Sequence, residues 1–150
     1  MSDDWIVLVP EDPYFVPDLV RQSAARNRLA ALVPAADEIV VTVSDVVQFF
    51  DCGSNFEQVF CPSCLSELPR RWWEGCMGED STDGFRLDSY RLPCCGNKCP
   101  LHQLVYDWPQ AFGRFSLEAM NPDVGRLHDN DRRVLEEVLG TKLLVVYQHV

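Results

Sequence analysis

Long hydrophobic runs are missing from this sequence. No stretch approaches the roughly 18 to 20 apolar residues that cross a bilayer as a helix, so membrane spanning is not expected. Basic residues are also scarce: 13 lysines and arginines face 23 aspartates and glutamates, for a formal net charge of −10. Such a charge repels phosphate backbones, and the one basic pair beside aromatics, Arg70 and Arg71, is too little for a nucleic-acid stripe. There is no phosphate loop, no nucleophile elbow and no dinucleotide fingerprint. The opening, MSDDWIVLVP, places acids where a secretory leader carries lysine or arginine, and its apolar run breaks at Pro10. A cytoplasmic protein is expected.

What the chain does have is 47% hydrophobic content over 150 residues, enough for one core and most simply a single domain, 1–150. The acidity is uneven. Residues 1–60 hold three basic and ten acidic side chains. Asp3, Asp4, Glu11, Asp12, Asp18, Asp37, Glu38 and Asp45 are thus candidates for a patch that steers a basic partner inward, set against the blander role of a solubilising surface.

The periodicity predicts an α+β fold. DWIVLV (4–9) is nearly all apolar, as a strand buried on both faces is. Residues 18–33 form helix, with Pro17 near its start and Pro34 as its stop, and residues 37–43 form a β-branched strand. Residues 46–60 read as a hairpin around CGSN, residues 66–78 as a short helix with Trp72 and Trp73, and residues 84–92 as an alternating strand. GRFSLEAM (113–120) alternates, with Phe115, Leu117 and Ala119 on one side. A helix over about 125–139 stops at Gly140, its stripe formed by Leu127, Val134, Leu135, Val138 and Leu139, before the closing strand. Without its middle the order is βαββαβ, that of a ferredoxin-like sandwich, with residues 46–110 inserted as a zinc-ribbon-like lobe.

The cysteines carry the chemistry. Seven is an odd number, and with an intracellular chain expected it favours metal-bound thiols over a disulfide framework. Cys61 and Cys64, with Pro62 between them, have the spacing of one zinc knuckle, since a CxxC turn aims two sulfurs at one tetrahedral ion. The second group, separated from the first by 29 residues, is irregular. Cys94 and Cys95 can share the ion if Pro93 and Gly96 turn the chain sharply. Otherwise Cys99 is the substitute fourth ligand, at CxxxC spacing from Cys95, and a Cys99–His102 pair is a third arrangement. Cysteine-rich ligation favours structural Zn2+ over a catalytic ion, and the HxE of a zinc deaminase is absent, because Gln103 and Leu104 follow His102. Buried cysteines acting as small hydrophobes are the competing reading.

Cys52 and Cys76 fall outside the clusters, with no assigned histidine or aspartate to activate them, and are expected to pack. His128 and His149 are read as surface or core histidines. Trp72, Trp73, Trp108 and Phe112 suit either a contact surface or the cover of a thin core.

FFDCGSNFEQVFCPSC, the paired tryptophans, LPCC, YDWPQAFGRFSLEAMNP and the terminal LG before a strand together resemble a family of small bacterial proteins with no settled activity. The resemblance covers about two thirds of the chain. It implies that the recurring cysteines are Cys61, Cys64, Cys94 and Cys95, with Cys99 and His102 peculiar to this chain. In general character such proteins resemble toxin-immunity partners. The expected function is a non-enzymatic, zinc-stabilised protein-interaction module, in specific form an immunity or antitoxin protein facing a basic toxin. The alternative is a metal- or cysteine-dependent enzyme with its site between lobe and sandwich.

Overall fold

The computed structural model describes residues 2–150. In chain order the elements are β1 (Asp4–Pro10), α1 (Leu19–Leu32), β2 (Glu38–Phe50), β3 (Gln58–Phe60), α2 (Arg70–Asp80), β4 (Ser89–Arg91), β5 (Lys98–Pro100), β6 (Val105–Asp107), β7 (Ala111–Met120), α3 (Asp129–Leu139) and β8 (Leu143–His149). The fold is mixed α+β, with an antiparallel four-stranded sheet of order β2-β7-β1-β8 and two small strand pairs, β3-β6 and β4-β5. No helix among the described residues is long and apolar enough to cross a membrane.

The apolar run of β1 is explained by its place between β7 and β8. Ile6 and Leu8 face the helices, where they pack with Leu29, Phe115, Leu117, Leu135 and Leu139, while Val7 and Val9 face the other side with Ala111 and Val146. Both faces of the strand are therefore dry. Asp18, not Pro17, caps α1: its Oδ1 accepts from the Arg21 amide at 2.8 Å, so Pro17 lies outside the helix. The last helix begins at Asp129 rather than near residue 125, and Gly140 closes it in the left-handed region at φ 76°. Glu136, on the inner side of α3, is only 8% exposed. Its Oε2 accepts from the Leu143 amide at 2.8 Å and pairs with Arg132 at 3.4 Å, which compensates the buried charge.

The expected hairpin over residues 46–60 does not form. After an irregularity between Val43 and Gln48, β2 continues to Phe50 along β7, while β3 pairs with β6. Val47, Phe49 and Phe112 on these extended ends then join the core of the intervening segment. Phe49 of β2 meets Trp73 edge-on at 6.1 Å between centroids and Phe112 of β7 meets Phe85 edge-on at 5.2 Å, so the segment is moored to the sheet by aromatic contacts. Arg70 lies 4.0 Å over the Phe56 ring, a packing role for half of the basic pair.

The strand expected over residues 84–92 is reduced to Ser89–Arg91 because the preceding loop wraps around Asp80. That carboxylate is fully buried. It accepts from the amides of Leu87 and Asp88 at 2.7 and 2.9 Å and from the Tyr90 hydroxyl at 2.9 Å. These three donors satisfy the charge that burial would otherwise penalise.

Candidate metal centre

The segment between β2 and β7 presents two tight turns to one another. In the first, the Leu65 amide donates to the Cys61 carbonyl at 2.9 Å and the Cys61 amide to the Ser66 carbonyl at 2.9 Å. In the second, Gly96 donates to the Leu92 carbonyl at 2.9 Å and Leu92 to the Asn97 carbonyl at 2.8 Å. Each turn contains a proline one residue in, and each has a left-handed residue four positions on, Leu65 at φ 60° and Gly96 at φ 76°. The turns are therefore backbone equivalents. Leu92 stands where Cys61 stands, Cys95 matches Cys64, and Cys94 occupies the place of Ser63.

This equivalence accounts for the irregular second group. A regular knuckle would put cysteine at position 92, but Leu92 is buried in the core at 1% exposure. Its missing sulfur is replaced by that of the next residue but one, Cys94. The Sγ atoms of Cys61, Cys64, Cys94 and Cys95 all lie within 4.8 Å of one another. Cys61 and Cys95 are 3.8 Å apart. A tetrahedral zinc with bonds of about 2.3 Å implies an edge of about 3.8 Å, so this donor set fits such an ion with little movement. Four close sulfurs of this kind can hold a metal ion.

Electrostatics sort the four thiols. Cys61 Sγ accepts from the amides of Ser63 at 3.3 Å and Cys64 at 3.4 Å. These donors, that of Cys64 first, stabilise the thiolate and bring Cys61 down to about 6. Hydrogen bonding from Ser66, whose oxygen lies 3.2 Å from the sulfur, lowers Cys64 as well. Cys94 moves the other way, to about 12, because its sulfur is withdrawn from water among the other sulfurs and gives its proton to them.

The remaining sequence candidates lie elsewhere. Cys99, on β5, is 5% exposed among core side chains, and its thiol donates to the Pro100 carbonyl at 3.3 Å. His102 follows in a short helical turn, where burial lowers its basicity. Cys76 packs on α2 beside Trp73. Cys52 is fully buried, 3.8 Å from the Trp108 carbonyl, and burial raises its thiol to about 11.

The acidic residues of the amino-terminal part do not form one patch. Asp3, Asp4, Asp37 and Glu38 gather at the start of β1, whereas Glu11, Asp12 and Asp45 lie at the far end of that seven-residue strand, about 20 Å away. At the first group, His149 Nδ1 meets Asp4 Oδ1 at 2.6 Å. Sequence reading leaves His149 unpartnered, although the topology carried the signal: a first and last strand that are neighbours bring their outer ends together, here Asp4 opposite His149. Comparison of the chain with protein-family models, with curated proteins and with solved structures finds no match.

Proposed function

We propose that the chain is a zinc-stabilised protein-interaction module in which the ion is structural and no catalysis takes place. The observation that carries this reading is the all-sulfur donor set drawn from two equivalent turns. Four protein thiolates close a tetrahedral ion, while catalytic zinc keeps a position for water and usually recruits histidine or carboxylate. No histidine or carboxylate belongs to this cluster among the described residues. The strand order β2-β7-β1-β8, with α1 and α3 packed on one face, supports a ferredoxin-like sandwich as the platform, with the zinc-ribbon-like lobe mounted between β2 and β7.

The net charge of −10 supports a basic protein as the partner, and an immunity or antitoxin role is the specific form of this reading. Against the enzyme alternative stands Cys52, whose fully buried and hard-to-ionise thiol is a poor nucleophile. Two measurements test the proposal. Metal analysis of the purified protein should find one zinc per chain, lost on Cys61→Ser. Capture from the native host should recover a basic protein whose association rate falls steeply with added salt. Metal-free but fully folded material, or no protein partner at any salt concentration, would refute it.

A further inference from the structure

A cleft of about 550 Å³ opens where the outer ends of β1 and β8 meet the loop after β7 and the segment carrying the metal centre. Pockets that take small molecules span about 300–1,000 Å³. Trp5 and Tyr147 come from the sheet, and Asn55 and Trp108 from the intervening segment. Trp108 keeps 40% of its surface exposed, whereas Trp73 keeps 7%. An indole left open on a cleft wall, with its relative buried in the core, is placed for contact rather than for packing.

Charge around the cleft is nearly of one sign. Asp4 and Asp123 line it, and Asn121 Nδ2 holds Asp3 and Asp37 beside it at 3.0 and 2.9 Å. No lysine or arginine is among the lining residues, and the one basic side chain there, His149, is engaged by Asp4. The metal centre has a bearing on this wall. Trp108 directly follows β6, which pairs with β3, and β3 leads straight into Cys61.

We infer that this cleft receives an arginine side chain of a basic protein partner, with its guanidinium between the Asp4 and Asp123 carboxylates and its flat face on Trp108. The inference rests on the interaction-module reading and names its anchor point. Arginine suits the cleft better than lysine because a planar guanidinium stacks on an indole while its N–H groups pair with carboxylates, whereas an ammonium is a compact, strongly hydrated point charge.

The test is a titration of the isotope-labelled full chain with the capped tripeptide Gly-Arg-Gly, following the Trp108 indole resonance assigned through Trp108→Phe. The same peptide with citrulline keeps the shape without the charge, and a lysine version keeps the charge without the plane. A saturable Trp108 shift is expected, with binding about tenfold weaker for the citrulline and lysine peptides and about tenfold weaker in Asp4→Asn, the scale of losing a charge-assisted hydrogen bond. No saturable shift, equal response to citrulline or lysine, or unchanged binding in Asp4→Asn combined with Asp123→Asn overturns the assignment. If it falls while salt-sensitive capture of a partner persists, only the cleft is wrong. If both fail, the interaction reading goes with it.

Discussion

Combining Leu92→Cys with Cys94→Ser would turn the second knuckle into a copy of the first, moving one sulfur two positions back along an equivalent turn. Structural zinc in small peptides is worth about 10–16 kcal/mol, so each of four sulfurs carries about 3 kcal/mol, or roughly a hundredfold in affinity. Cys94→Ser alone should therefore weaken metal binding by about a hundredfold, and adding Leu92→Cys should bring it back to within about tenfold of the parent. The second change has its own cost. Leu92 is 1% exposed, and shortening a buried leucine while keeping one heavy atom beyond Cβ should lower stability by about 2 kcal/mol. The two effects separate experimentally: cobalt absorption and chelator competition report the site, and urea unfolding of the metal-bound forms reports the core. Two results would refute the reasoning. Undiminished affinity in Cys94→Ser would mean that Cys94 is not a ligand, and a folded double variant that fails to regain affinity would mean that the turns are not equivalent.

Further outcomes follow from Asp80, Leu65 and the ionisation of the cluster thiols. Asp80→Ala leaves two amides and the Tyr90 hydroxyl without their buried acceptor and should cost about 3 kcal/mol or more, with Asp80→Asn milder, as measured by chemical denaturation. Leu65→Gly should stabilise the protein by about 0.5–1 kcal/mol, since a leucine at φ 60° that is 68% exposed gives up left-handed strain for little lost burial; a clear loss of thermal stability would contradict this. Metal binding should release a proton from Cys94, held at about 12, and little from Cys61, held at about 6, near neutral pH; calorimetry in buffers of different ionisation enthalpy counts these protons. Below about pH 6 Cys61 also takes up a proton, so affinity should fall more steeply there. In the metal-free protein the depressed Cys61 value has the sign of a stabilising thiolate: its contribution is complete above 9.0 and is lost as pH falls through about 6.

The residues that sequence reading placed well are those whose conformation depends on near neighbours. Alternation put Phe115, Leu117 and Ala119 on one face of β7 because successive strand side chains point to opposite sides, and all three are buried. The apolar run of β1 identified an inner strand, and Gly140 marked a helix end because a left-handed cap favours glycine. The misread stretch, residues 46–60, carries turn residues that suit a hairpin, yet β7 offered Gln48–Phe50 a longer ladder, and Val47 and Phe49 an aromatic core. Asp80 was missed because an acid near the end of a short helix looks like surface until the loop that encloses it is seen.

For the candidate centre, the sequence by itself determined the first knuckle, Cys61 and Cys64, because a CxxC turn is local geometry. It narrowed the other sulfurs to a short window. Which of them face the first pair was decided only by tertiary structure: the left-handed Gly96 reverses the chain, Cys94 and Cys95 turn outward to the cluster, and Cys99 lands on β5 with its side chain in the core. The meeting of Asp4 with His149 across 145 positions was likewise a matter of strand order. The physical reason is that both meetings are long-range. The turn at Gly96 is local, but its sulfurs reach Cys61 only because the β4–β5 pair shares a core with β3 and β6. Asp4 reaches His149 only because β8 pairs with β1, and short-range sequence pattern encodes neither choice.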